Sequence, residues 1–341
     1  MKTYAPKYYQ QFHCIADKCK HSCCIGWDVY LDEETEEKYA ALQGELGATI
    51  RKNLCQKEDG ICFEMTPEGK CPFLNEKGLC KIILEKGEDY ISEICREHPR
   101  FYHSFSDRWE VGLGLSCEEA ARIILAYDGD HSLCIITEDD TPEESLFPEE
   151  QEVLEKRARI FELLSDRSQT LSRRIESILS LCEAKLPQKT VSEWANLLSS
   201  LERLDPAWDN ELSILKEQRD ILNVSPLSSM FGKDFVISSP LDSQNQQNKS
   251  DNSPQHISRA FENLLVYFLF RHASEAMDEQ DLAARVAFSV FSLLIICKLY
   301  EQHATNGRVD FDALCELCRL YSSEIEYSEE NTSILIDAML Q

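Results

Sequence analysis

Ten of the fifteen cysteines stand in the first 117 residues, and that clustering limits what this part of the chain can fold into. Gly, Pro and Cys recur at short intervals over residues 55–117 and long periodic apolar runs are few, so the segment is expected to be loop-rich. A small domain without a large hydrophobic core needs a staple, either disulfides or a metal. The compartment decides which. Residues 1–10 lack the apolar stretch of a signal peptide, which predicts a cytoplasmic protein with reduced thiols. The adjacent Cys23-Cys24 and the odd cysteine total also argue against a complete disulfide framework.

The spacing then points to metal. Cys14-x4-Cys19-x3-Cys23-Cys24 is followed by Cys55, Cys62, Cys71, Cys80, Cys95 and Cys117. Turns can bring such soft ligands to about 2.3 Å from zinc, or around an iron–sulfur cluster. Paired C-x2-C knuckles, usual for zinc, are absent before Cys315-x2-Cys318, and that pair lies at i and i+3 of an apolar helical pattern. It is read as two core thiols, and Cys55 and Cys62 as buried structural thiols. Cys71-Pro72, and Cys117 at the start of a helix that would stabilise an anionic sulfur, favour a cluster.

The rest of the chain has a different character. The 61 acidic against 35 basic residues leave a formal charge of −26, of which residues 1–117 carry −5 and residues 118–341 carry −21. That balance disfavours nucleic acid, whose affinity comes from clustered Lys and Arg, and favours basic protein surfaces. Asp32 with Glu33, Glu34, Glu36 and Glu37 predicts a helix start, running to about Leu54, after an irregular segment 1–31. A helix is expected from residue 118, then an acidic solvated connection over 127–155, then amphipathic helices with apolar residues at three- and four-residue spacing. Residues 238–255 are polar and read as a flexible insert, and further helices are expected near 256–276, 280–303, 310–322 and 329–340. Val286–Cys297 is 12 residues, short of the roughly 20 needed to span a bilayer, so it reads as a buried helix and no membrane partner is expected. The fold class is therefore mainly α: a loop-rich metal-binding cysteine domain over 1–127, followed by an irregular acidic α-helical domain over 128–341.

Several segments together resemble the flagellin lysine-N-methylase family. They are Tyr4-x-Pro6-x-Tyr8-Tyr9, Phe12-x-Cys14, Cys19-x3-Cys23-Cys24-x-Gly26-Trp27, Cys71-Pro72-Phe73-Leu74-Asn75, Gly78-Leu79-Cys80, Cys95-Arg96-x2-Pro99-Arg100 and Leu113-x-Leu115-Ser116-Cys117-x-Glu119-Ala120-Ala121-Arg122. The stretch Tyr321–Asn331 is similar to the family's C-terminal end. The family shares its cysteine framework with zinc- or iron-chelating domains. The resemblance implies methyl transfer to surface lysines of flagellin, with an iron–sulfur cluster (4Fe-4S, zinc as alternative) and S-adenosylmethionine. It places Cys14, Cys19, Cys23, Cys24, Cys71, Cys80, Cys95 and Cys117 on the metal, as one cluster with spare thiols or as two sites. Arg96 and Arg100 are candidates for neutralising an anionic cluster or binding a cofactor carboxylate. His98 stands where an aromatic residue is expected before the proline, and Cys55 and Cys62 are additions.

A Rossmann-type donor site would show a glycine-rich loop between strand and helix. The nearest approach, Gly112-x-Gly114, reads as a strand or turn feature, and the radical signature C-x3-C-x2-C is also missing. S-adenosylmethionine is therefore expected at an unfamiliar site, and a non-catalytic zinc- or iron-binding or regulatory module is the alternative. A lysine must lose its proton and be desolvated before it attacks a methyl group. Tyr8, Tyr9, Trp27, Asp28 and Tyr30 are candidates for that role and for packing; the catalytic base is left open.

Overall fold

The computed structural model describes residues 1–142, 144–224, 254–305 and 310–340. The chain forms two compact units. One comprises His13–Phe101 with Cys117–Glu119; the other comprises Met1–Phe12, Tyr102–Ser116 and Ala120–Gln341. Met1–Phe12 and Tyr102–Ser116, which the sequence grouped with the cysteines, thus pack with the helices.

In the cysteine unit, Asp32 caps α1 (Glu33–Ala41) by accepting from the Thr35 amide at 2.9 Å. The single helix expected to Leu54 is broken, because α2 (Gly44–Lys52) starts afresh after Leu42 and Gln43. Gly44 sits at φ +89°, and a Cβ on Gly47 would lie 2.1 Å from the Leu42 carbonyl oxygen, so both positions need glycine. Arg51 closes the break, donating from Nη1 to the carbonyls of Tyr39 (2.9 Å) and Leu42 (2.8 Å). A hairpin of β2 (Leu54–Lys57) and β3 (Gly60–Phe63) follows, then the short helices α3 (Lys81–Lys86) and α4 (Glu93–Glu97). One apolar cluster, including Tyr39, Ile50, Phe63, Phe73 and Ile82, lies at the centre.

The other unit contains a sheet the sequence reading did not anticipate. β1 (Lys2–Pro6), expected to be irregular, pairs in parallel with β5 (Arg108–Leu113) and antiparallel with β6 (Leu133–Glu138), in the order β4 (Arg100–Phe105), β5, β1, β6. β6 lies inside the stretch read as a solvated connection. Its β-prone Ile135, Ile136 and Thr137 are outnumbered by flanking carboxylates, which hides a strand from a composition count. Gly112 lies within β5, as expected of a strand feature.

The helices follow as α5 (Glu118–Ala126), α6 (Pro148–Ser165), α7 (Leu171–Leu181), α8 (Val191–Ser200), α9 (Trp208–Lys216), α10 (Pro254–Phe268), α11 (Glu279–Thr305), α12 (Phe311–Tyr321) and α13 (Glu329–Met339). Helix dominates, as the periodicity predicted. The polar insert at 238–255 lies, up to residue 253, outside the described residues. α11 packs against α7, α9, α10, α12 and α13, with Phe288, Phe291, Leu293, Ile295 and Cys297 buried. Glu279–Ala304 is long and apolar enough to cross a membrane, but 89% of its most apolar window is buried inside the fold, the mark of a core helix. Cys315 and Cys318 are buried in α12 as core thiols.

Part of the acidic charge is internal. Glu262 receives Arg174 at 2.7 Å, Arg167 at 3.0 Å and His131 at 3.1 Å. Arg157 grips Glu110 through two bonds of 2.6 and 2.7 Å, with both side chains buried. Glu326 meets the Tyr267 hydroxyl at 2.9 Å, His272 Nε2 at 2.8 Å and Arg271 Nε at 3.3 Å. His272 and Glu326 lie on π-helical turns, Leu269–Ala273 and Ser322–Glu326, that continue α10 and α12. Buried charges persist in pairs because desolvating an unpaired one costs too much.

Candidate metal centre

The eight framework cysteines assort into two groups of four. Cys24, Cys71, Cys80 and Cys95 all belong to the apolar cluster around Phe73 and Tyr39. Backbone pairing brings them there. The Cys71 amide donates to the Cys24 carbonyl at 2.8 Å, and bridges join Ile25 to Lys70 and Leu74 to Cys80. Cys80 then stands at the N-cap of α3, and Cys95 lies in α4. Each of Cys71, Cys80 and Cys95 feels the charge of Cys24.

Burial pushes the Cys71 thiol up to about 12 and Cys95 to about 11, and raises Cys80 as well. The backbone works the other way. The Phe73 amide near Cys71 and the Ile82 and Ile83 amides near Cys80 favour the charged form of each sulfur. Amides directed at a buried sulfur favour a thiolate, while burial among Phe and Ile opposes one. A cation among the sulfurs would reconcile the two.

Cys14, Cys19, Cys23 and Cys117 form the second group. Burial raises Cys19 to about 12, followed by the charges of Glu118, Cys117 and Cys14, and Cys23 feels Cys14 and Cys117. Glu118 Oε2, in the first turn of α5, accepts from the Lys20 amide at 2.8 Å and the His21 amide at 3.2 Å, tying this loop beside Cys117. Cys14 and Cys23 are exposed. Cys23 and Cys24 join the groups: the two thiols act on each other, which raises Cys23 and lowers Cys24 to about 7.

The donors match a thiolate metal centre in type and number, but their placement stops short of a ligating arrangement. Among the described residues, no three His, Cys, Asp or Glu side chains are grouped so as to hold a metal ion. Cys55 and Cys62, the additions to the framework, face each other in the β2–β3 hairpin.

The other candidates have partners of their own. Arg100 donates to the Arg96 carbonyl at 3.1 Å, and Arg96 lies 3.9 Å from Glu97 Oε1. Tyr8 is buried edge-on to Tyr127, and the Tyr9 carbonyl accepts from the Phe12 amide at 3.1 Å. Asp28 pairs with Lys57 at 2.6 Å, and the Tyr30 hydroxyl is 3.5 Å from Asp59. Trp27 donates from its indole to the Cys23 carbonyl at 2.7 Å and stacks on His98, with ring centroids 6.4 Å apart. His98 thus takes the aromatic place its position calls for, and burial, with Arg100, lowers it to about 4, so the ring stacks uncharged near neutral pH. The Glu118 tether escaped the sequence reading. Its only signal there was an acidic residue directly after Cys117.

Over 126 residues, 35% of its length, the chain is 30% identical to the lysine-N-methylases of Salmonella typhimurium and Salmonella choleraesuis. The match spans 31% of each of those proteins. It is also 30% identical over 126 residues to the flagellar biosynthetic protein FliU of Salmonella muenchen, of which it covers 75%. No protein-family model matches the chain. No solved structure matches it either.

Proposed function

The chain belongs to the family of the lysine-N-methylases and the flagellar biosynthetic protein FliU, and on that membership we propose that it is a protein-lysine N-methyltransferase acting on surface lysines of flagellin. The similarity to the named lysine-N-methylases is the observation that carries the activity. FliU, by its name, supports a flagellar substrate. The net charge of −26 suits a lysine-rich partner.

S-adenosylmethionine is the proposed donor, and when bound it supplies an activated methyl group. A cysteine-held centre, iron–sulfur with zinc as the alternative, is proposed for Cys24, Cys71, Cys80 and Cys95 and for Cys14, Cys19, Cys23 and Cys117. The sorting of the thiols and the amides directed at Cys71 and Cys80 support it. Arg96 and Arg100, on the α4–β4 stretch beside Cys95, are proposed to face an anionic centre or cofactor carboxylate.

The acceptor sets the chain's remaining task. An ε-ammonium has no lone pair, so a lysine must give up its proton and leave water before nitrogen can take a methyl group. Acidic surface draws the ammonium in, and an apolar wall then disfavours its charge.

The test is anaerobic purification, metal and sulfide analysis with an absorption spectrum, and incubation with flagellin and S-adenosylmethionine followed by peptide mass spectrometry. Methylated flagellin lysines, dependent on the protein and on the donor, are expected. A colourless zinc protein that leaves every lysine unmodified would overturn the methyltransferase and leave a metal-binding module.

A further inference from the structure

We propose that Cys55 and Cys62 form a dithiol modification site that a low-molecular-weight disulfide such as glutathione disulfide converts to a cross-strand bond, clipping β2 to β3. The two residues are direct partners in the antiparallel register, so their side chains leave the same face of the hairpin. Their sulfurs are 3.4 Å apart. Directly paired strand residues have Cα atoms about 4.5–5.5 Å apart, inside the roughly 4.4–6.8 Å span a disulfide bridges. Closing to a bond of about 2.0 Å therefore asks for side-chain rotation and no shift of strand register.

Neither thiol belongs to the apolar cluster that holds Cys24, Cys71, Cys80 and Cys95, and the proposal does not depend on the methyl-transfer reading. They differ in access: Cys55 is half-buried and Cys62 buried. That difference orders the chemistry. The Cys55 thiolate attacks one sulfur of glutathione disulfide, forming a mixed disulfide and expelling one glutathione thiolate, which takes up a proton. Cys62 then loses its proton to solvent and attacks Cys55 Sγ, expelling the second glutathione. Two protein thiols are oxidised and one glutathione disulfide is reduced to two glutathiones.

β3 is also laid against the chain that follows Trp27. The Leu31 amide donates to the Ile61 carbonyl at 2.9 Å, the Phe63 amide to the Val29 carbonyl at 3.1 Å, and Tyr30 bridges Cys62. A clipped hairpin would hold residues 29–31 against a stiffer partner.

The full-length protein gives a direct readout, because trypsin cuts after Lys52, Lys57 and Lys70 and separates the two cysteines onto the peptides 53–57 and 58–70. After treatment with glutathione disulfide and alkylation, these peptides are expected joined as one species that reduction splits. Cys62→Ser is expected to stop at a glutathione adduct on Cys55, and Cys55→Ser to leave Cys62 unmodified. Circular dichroism of both variants checks that they fold. Alkylation of both cysteines at an oxidant concentration that modifies other thiols would overturn the proposal, as would linkage of either to a framework cysteine.

Discussion

The backbone amide of Cys71 donates to the carbonyl of Cys24 at 2.8 Å, joining the second cysteine of the adjacent pair to the one that precedes a proline. It holds Cys24 on the Cys71 side of the adjacent pair. Cys24 falls in with Cys71, Cys80 and Cys95 in an apolar cluster, while Cys23 keeps company with Cys14, Cys19 and Cys117.

Metal content should respect that division. Cys71→Ser and Cys80→Ser are expected to remove about half of the bound metal, and Cys19→Ser and Cys117→Ser the other half, as each group loses a ligand. Elemental analysis of anaerobically purified variants measures this. Loss of all metal from one pair of variants and none from the other would mean a single centre with spare thiols.

Metal loading should fall with pH. In the metal-free protein, burial holds Cys71 near 12 and Cys95 near 11, so at neutral pH both are protonated and must release their protons to a cation. Lowering pH adds competing protons and weakens binding; raising it strengthens binding. Titration calorimetry in buffers of different ionisation enthalpy counts the protons released, and about two or more per metal are expected.

What the sequence revealed, and what it hid, follows from range. The Asp32 cap, the amphipathic helices and the apolar α11 are written in residues three or four apart, so local pattern sufficed. β1 and β6 are short, pair across more than a hundred residues, and in β6 sit among carboxylates. The eight framework thiols could be picked out, but not their division, because that depends on which backbone Cys24 meets. His98 looked like a departure from the pattern until its stacking on Trp27 gave it the aromatic role. A charge count also cannot tell an exposed carboxylate from a buried one, and Glu110, Glu262, Glu324 and Glu326 are buried.

Glu326 should make the helical unit acid-sensitive. Burial pushes its carboxyl up, but Arg271 beside it and the hydrogen bond with His272 outweigh burial and hold it at about 2. Its unfolded value is about 4.3, so the contribution to stability is complete above that pH and is lost as pH falls toward 2. Glu326→Gln removes the buried charge that Arg271 pairs with and is expected to cost about 3–5 kcal/mol at neutral pH. Over acid pH the variant should lose less stability than the parent. Urea unfolding at a series of pH values measures both effects, and equal acid sensitivity would refute the assignment.

Gly47→Ala tests the break between α1 and α2. In an ordinary helix interior alanine would gain up to about 1 kcal/mol over glycine. Here the added Cβ would lie 2.1 Å from the Leu42 carbonyl oxygen, a backbone atom, so the turn held by Arg51 must shift. A net loss of about 1–3 kcal/mol is expected in denaturant unfolding. A gain would show that Leu42 and Gln43 yield freely.

Salt should reveal whether the acidic surface recruits the substrate. Residues 118–341 carry 41 acidic against 20 basic residues, and pairing inside the fold, as of Glu262 with Arg174 and Glu326 with Arg271, neutralises part of that charge without exposing it. The remainder can draw in lysine-rich patches over distances that screening cuts to about 8–10 Å at physiological ionic strength. If attraction governs encounter and leaves the chemical step alone, raising salt from low to near-physiological concentration should increase KM for flagellin several-fold with kcat nearly constant. A parallel fall in kcat would place the charge in the reaction itself. A KM indifferent to salt would leave the exposed carboxylates as a solvated face with no part in substrate capture.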